Sequence, residues 1–286
     1  MGDFVERRIG GMSPGELSKA VFAGRILCFE GLPPVNDVVA AARRAVSGAF
    51  DDADPLTVHA DLDSSDYEQC YAAARRAFQN DSAAVRAMEA ALVAAGLERD
   101  ACYRDRLVLR ISPPHVRTYQ RGFGAIPPHR DSWGSGIYSQ INWWMPVYPL
   151  SAENTMAIFP AHWTKPIEND SDGWDWTRAG KDPDVPLLPT AKSEPDRTGE
   201  VRLDVAPGTL VAFSGAHLHA SVPNTTPHAR ISCETRSVSV RDLELGCAAP
   251  DIDGGGAEPA YTWFRRFGDG KVLDPRETSA QTTRSR

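Results

Sequence analysis

The chain has 286 residues, enough to bury a sizeable core, and its 42% hydrophobic and 24% charged composition is that of an ordinary globular protein. A net charge of −7 disfavours nucleic acid or an anionic membrane as partner, and no apolar run reaches the roughly 18 residues of a transmembrane helix. Five scattered cysteines, never spaced as Cys-x-x-Cys, speak against a disulfide framework or zinc ribbon and for reduced thiols in a cytoplasmic protein.

Residues Met1 to Met12 carry Asp3, Glu6, Arg7 and Arg8 without an apolar segment, so no secretory signal is expected. Ile26-Leu27-Cys28-Phe29 reads as a short strand before a Pro33-Pro34 breaker. A helix is predicted to open at Asn36 or Asp37, with Val38, Val39, Ala42, Val46 and Phe50 on its apolar face. Ser65-Asp66-Tyr67-Glu68 fits a capping box, and Tyr67, Tyr71, Ala74 and Phe78 continue one helical face. A third helix is predicted from about Ser82 to Ala95, stopped by Gly96. The first hundred residues are therefore expected to be a helical scaffold packed on something else.

Beyond Leu107 the pattern changes to short β-branched and aromatic runs. Leu107–Ile111, His115–Tyr119, Ile137–Val147, Thr155–Phe159, Val201–Val205, Thr209–Phe213 and Ala229–Val240 read as strands separated by Gly and Pro turns. Residues 164–200, rich in Pro, Asp, Gly and Lys but holding Trp174 and Trp176, read as a structured lid. The tail beyond about Gly270 is polar and expected to be mobile. Short strands without interleaved helices predict a double-stranded β-helix, or cupin-like jelly roll, backed by an α-helical N-terminal layer. The whole chain is read as a single catalytic domain: helical support over 1–105, a jelly-roll core over 106–245 and a C-terminal extension over 246–286.

Chemistry concentrates at Pro128-His129-Arg130-Asp131 and at a second histidine region, His217-Leu218-His219. On an extended segment, residues two apart point their side chains the same way, which aims His129 and Asp131 at one place. Joined by a distant second imidazole, they make a 2-His-1-carboxylate facial set, suited to non-heme Fe(II) with open positions for other ligands. His217 shares its parity with His219 and competes for the role. Arg230 and Arg236 share one face of the last strand.

These pieces, in this order, resemble the Fe(II)/2-oxoglutarate dioxygenase superfamily and within it the phytanoyl-CoA dioxygenase-like branch. The resemblance runs from about Leu107 to Val240. It rests on Pro128-His129-Arg130-Asp131, on His219-Ala220-Ser221-Val222-Pro223-Asn224, and on Arg230-Ile231-Ser232 eleven residues past His219. It implies His129, Asp131 and His219 as iron ligands, with 2-oxoglutarate as cosubstrate and O2 as oxidant. It further implies Arg230 on the distal carboxylate of 2-oxoglutarate, with Ser232 adding a hydroxyl hydrogen bond. The branch's usual Gly-x-Leu and Pro-Gly-Ser-His runs are replaced by Asn154-Thr155-Met156 and Pro160-Ala161-His162-Trp163, so a coenzyme A thioester is not the expected substrate. Asp131 stands where halogenases of the superfamily carry a small residue, which disfavours chlorination.

The expected activity is oxidation of a small molecule at a C–H bond, by default hydroxylation, on a natural-product or amino-acid-derived substrate. Trp133, Tyr138, Trp144 and Arg117 are the candidate substrate residues, with Trp143, Tyr119 and Gln140 nearby. Two other classes compete: a catalytically silent jelly-roll binding protein, and a cupin-like metalloenzyme that does not use 2-oxoglutarate. The Arg-Ile-Ser segment argues against both.

Overall fold

A computed structural model describes residues 4–115 and 124–274. Among these residues eleven strands and six α-helices follow one another, beginning with β1 (Val5–Ile9), α1 (Pro14–Phe22), β2 (Ile26–Glu30), α2 (Pro33–Ala49), α3 (Ser64–Asn80), α4 (Ser82–Ala95), β3 (Cys102–Arg104) and β4 (Val108–Ser112). The second half continues with α5 (Asp131–Ser135), β5 (Gln140–Pro146), β6 (Met156–Ile158), β7 (Val201–Arg202), β8 (Leu210–Ser214), β9 (His219–Ser221), β10 (Arg230–Ser239), α6 (Val240–Leu245) and β11 (Arg265–Arg266).

The helices begin and end where their termini find partners. Asp63 caps α3 by accepting the amide of Asp66 at 2.9 Å, so the helix opens two residues before the expected capping box. Asp81 caps α4 through Ala83 N at 2.7 Å, and Gly96 ends it at φ +136°. A side chain at Gly96 would be strained by that φ and would meet the carbonyl of Met12 at 2.6 Å. Pro33 and Pro34 do not interrupt the chain but open α2, because the first helical turn has no use for their missing N–H groups.

Two sheets form the sandwich. The larger runs β1-β2-β8-β5-β10-β3-β11, with β4 also paired to β10; the smaller runs β7-β6-β9. Apart from the parallel β1–β2 pair, the strands are antiparallel. Side-chain alternation then builds two cores. Leu27, Phe29, Trp143, Met145, Leu210 and Ala212 pack against the helices, among them Val38, Phe78, Met88 and Leu92. Their neighbours Ile26, Cys28, Trp144, Val211 and Phe213 point the other way, onto Met156, Ile158 and Val201 of the smaller sheet. This is the jelly roll with a helical layer on one face.

Some strands are shorter than expected: Gln140–Pro146, Met156–Ile158 and Val201–Arg202 are what pair within the runs 137–147, 155–159 and 201–205. The expected strand after His115 falls on residues outside the described ones. Of the tail beyond Gly270, Leu273 is buried and its amide donates to Phe264 O at 3.0 Å, while residues 275–286 lie outside the described ones. Among the described residues no helix is long and apolar enough to cross a membrane.

Candidate metal centre

His129 and His219 are fastened together by their backbones before their side chains meet. His129 N donates to His219 O at 2.9 Å and His219 N returns the bond to His129 O at 3.0 Å, an isolated bridge across the sandwich mouth. The ring centroids lie 4.2 Å apart. Asp131 arrives differently from expectation. His129 and Arg130 are extended, but Asp131 is the first residue of α5, so the motif is a strand end turning into a helix. Its carboxylate still converges, with Oδ2 3.8 Å from His219 Nε2. One donor atom from each of the three residues lies within 4.8 Å of the others.

The hydrogen bonds orient these donors. His129 Nδ1 donates to Pro127 O at 2.8 Å and His219 Nδ1 to His217 O at 3.0 Å, which fixes both rings in the tautomer with Nε2 unprotonated. Burial, helped by the neighbouring imidazole and opposed by Asp131, pushes His129 down to about 3. Burial alone would raise the Asp131 carboxyl, but Arg236, both imidazoles and the Asn142 hydrogen bond outweigh it and hold it below the usual carboxylate range. Two imidazole lone pairs and a carboxylate at one point form a donor set that fits a divalent first-row metal with open positions, Fe(II) among them.

Outer contacts hold the set in place. Gln140 Nε2 donates to Asn142 Oδ1 at 2.8 Å, and Asn142 Nδ2 donates to Asp131 Oδ2. Arg236 Nη1 stands 3.6 Å from Asp131 Oδ1 while its Nε donates to Asp105 Oδ2 at 2.6 Å. Arg130, which the sequence left without a role, is buried with its Nε 2.9 Å from Asp253 Oδ1. Its Nη2 donates to His162 O at 2.8 Å and its Nη1 to Ala216 O. Asp253 also accepts from the amide of Ile167 at 3.0 Å, so one ion pair joins α5, the approach to β9 and the start of the 164–200 loop.

A cavity of about 110 Å³ opens beside the three donors, walled by Trp144, Met156, Phe213, Ser221 and Arg230 among others. Arg230 is buried, donating to Thr155 O at 2.6 Å and to Ser221 Oγ at 3.1 Å, both uncharged. Its Nε has no partner, and among the described residues no carboxylate lies within ion-pair distance of it. Burial, with Arg110 nearby, lowers its pKa to about 10. A buried guanidinium without a counter-charge is costly, so this arginine fits an anion brought in from outside.

The other expected site residues divide. Trp144 lines the cavity. Ser232 does not: its fully buried hydroxyl has no hydrogen-bond partner among the described residues, and the longer Arg110, Arg230 and Glu234 side chains around it form the wall instead. Trp133 is packed with Phe159, Ile167 and Leu218 and donates its indole N–H to Asp253 at 2.8 Å, away from the cavity. Tyr138 is half-buried beside Asp251, whose hydrogen bond together with burial raises its pKa; it lines neither cavity near the metal centre. Trp143 touches the cavity but belongs chiefly to the helix-facing core. His217 stacks on Trp163 at 4.4 Å and bonds Gly24 O at 3.2 Å, so it is not a member of the converging set. Arg117 and Tyr119 lie outside the described residues.

The profile of the phytanoyl-CoA dioxygenase (PhyH) family matches residues 35–232, well over half of the chain, and the chain belongs to that family. Enzymes of this kind use Fe(II), 2-oxoglutarate and O2. Among solved structures, EctD from S. alaskensis in its apoform is 15% identical over 96% of this chain and 92% of that chain, with a TM-score of 0.46. The apo non-heme monooxygenase ThoJ is 14% identical over 90% and 94%, with a TM-score of 0.43. EvdO2 from Micromonospora carbonacea var. aurantiaca, complexed with 2-oxoglutarate, is 15% identical over 80% and 92%, also with a TM-score of 0.43. No curated protein matches the chain.

Proposed function

We propose that His129, Asp131 and His219 hold Fe(II), that Arg230 binds the distal carboxylate of 2-oxoglutarate, and that the chain oxidises a small molecule at a C–H bond. Hydroxylation is the default outcome, and a natural-product intermediate or amino-acid derivative is the class of substrate. The observation that carries this reading is the pairing of a converging 2-His-1-carboxylate set with a buried, uncompensated guanidinium in the same cavity.

When bound, iron supplies the activation of oxygen that no side chain can perform. The protein's own groups do the rest. The Pro127 and His217 carbonyls keep each imidazole presenting Nε2. Asn142 and Arg236 hold the two Asp131 oxygens. Arg230, pinned by Thr155 and Ser221, keeps its unshared Nε–H for the carboxylate of the cosubstrate, and Ser221 takes the neighbouring hydroxyl position first expected of Ser232. Trp144, Met156 and Phe213 give apolar walls that exclude water from the reacting centre.

Substrate-stimulated formation of succinate from 2-oxoglutarate tests the activity. Succinate release above the substrate-free rate, lost in His219→Ala, is expected. Succinate formation that persists undiminished in His219→Ala would refute the assignment.

A further inference from the structure

A second chamber of about 230 Å³ adjoins the metal cavity and shares Arg106, His129, Asp131 and Arg236 with it. Its outer wall is aromatic: Trp174 and Trp176 from the 164–200 loop and Trp263 from the C-terminal extension. Trp176 and Trp263 meet edge to face at 5.7 Å, and Trp174 packs 3.3 Å from where a Cβ on Gly134 of α5 would lie. The chamber is therefore walled by three separate parts of the chain brought to the mouth of the metal site.

The charges around this mouth do not balance. In the reading above, the metal and Arg230 are matched by Asp131 and the 2-oxoglutarate dianion. Arg110 is matched by Glu234 at 2.6 Å and Arg236 by Asp105 at 2.6 Å. Arg75, from α3, and Arg106, between β3 and β4, line the metal cavity, Arg106 also reaching the second chamber, and neither forms an ion pair among the described residues. The Arg106 side chain is open to solvent on one side, while partial desolvation and the positive charges of Arg75, Arg236 and Arg110 lower its pKa against Asp105 alone. Cations gathered at one cavity raise its positive potential and draw an anion to it.

We propose that the substrate carries an oxyanion, a carboxylate or phosphate, which docks between Arg75 and Arg106 while its apolar body lies against Trp174, Trp176 and Trp263. Planar guanidinium groups bind either oxyanion through paired N–H donors, and the tryptophan faces suit a flat or aliphatic body of limited size. With the anion anchored there, the body in the second chamber lies beside His129 and Asp131, which line that chamber as well. This inference rests on the iron and 2-oxoglutarate reading only for calling the bound molecule a substrate.

The test is anaerobic calorimetry on the full chain saturated with Fe(II) and 2-oxoglutarate, so that Arg230 is already occupied. The probes are 4-phenylbutanoate, 2-phenylethyl phosphate and the neutral 4-phenylbutanamide. At least one oxyanion should bind about tenfold or more tightly than the amide, a difference of about 1.4 kcal/mol, and the stronger of the two identifies the head group. Arg75→Gln with Arg106→Gln should erase that preference, while Arg106→Lys keeps part of it. Unchanged melting temperatures and an unchanged iron–2-oxoglutarate absorption band show that these variants remain folded and loaded. Equal binding of acid and amide, no binding of either oxyanion, or a preference that survives the double substitution overturns the proposal. A wild-type protein that shows the preference but no absorption band keeps the oxyanion site and refutes the iron reading instead.

Discussion

Strand β10 has two opposite faces that serve different purposes. Its odd-numbered residues Ile231 and Cys233 enter the core beneath the helices, whereas the even-numbered Arg230, Glu234 and Arg236 enter the cavity. The same division runs across the larger sheet: Trp143 and Met145 face the helices, and Asn142 and Trp144 face the metal centre. One face is apolar and closely packed, so it supplies stability. The other gathers charged and hydrogen-bonding groups around a cavity, so it supplies binding at some cost to stability. Substitutions on the two faces should therefore separate cleanly into losses of folding and losses of ligand affinity.

The largest expected effect on folding is on the helix face. Phe78, wholly buried on α3, should cost roughly 3–5 kcal/mol when replaced by alanine. Denaturant unfolding of the metal-free protein measures it. A loss no larger than that of a surface substitution would show that the helical layer is not a supporting core.

Asp253→Ala should come close behind, because it strands the buried Arg130 guanidinium and frees the Ile167 amide. Breaking a buried pair from one side costs about 3–5 kcal/mol. Here the division of the two faces is put at risk, since the ion pair lies beyond the helix-facing core yet is expected to matter for folding. Limited proteolysis within residues 164–200 should also quicken, and unaltered cleavage would argue that the pair does not secure that loop.

Asn142→Ala tests the opposite face. It removes the donor on Asp131 Oδ2, and outer-sphere partners of metal ligands are worth about 10–100-fold in metal affinity. Iron titration should show that loss with the melting temperature of the metal-free protein nearly unchanged. A large fall in melting temperature with intact iron affinity would reverse the roles of the two faces.

The smallest effect concerns Asp242, at the start of α6 against the Ser18 hydroxyl of α1, 2.8 Å away. Burial raises its pKa, with the Ser18 bond opposing. A raised carboxyl contributes stability below its unfolded value, about 3.9, that is lost as pH rises through the folded one. Asp242→Asn should therefore be no less stable than wild type at neutral pH and should flatten the stability profile above about pH 4. Parallel profiles for the two proteins would rule out this acid as their source.

The strand alternation and helix stops were legible because they depend on neighbours in the chain: Gly96 ends α4, and Ile26 to Phe29 pair as β2. The convergence of His129, Asp131 and His219 was legible because His129 and Asp131 are close in sequence and the spacing from His219 to Arg230 resembles a family pattern. Pro33-Pro34 misled because a proline pair signals a break or a helix start with equal force, and only the preceding strand decides. Trp133 misled because an aromatic beside a ligand is read as a pocket wall until its N–H partner, Asp253, 120 positions away, is known. The same distance hid Arg130 and the Asp105–Arg236 pair, 131 positions apart. Parity on β10 did place Arg236 beside Arg230, but nothing local told which of them would be left without a carboxylate.

The most direct measurement is anaerobic absorption spectroscopy after adding Fe(II) and then 2-oxoglutarate. A visible metal-to-ligand charge-transfer band is expected for the wild-type chain, absent in Asp131→Ala and His219→Ala, and in Arg230→Ala requiring far more 2-oxoglutarate at unchanged iron affinity. No band with the wild type, an undiminished band in the ligand variants, or equal losses of iron and 2-oxoglutarate in Arg230→Ala would contradict the assignment of this site.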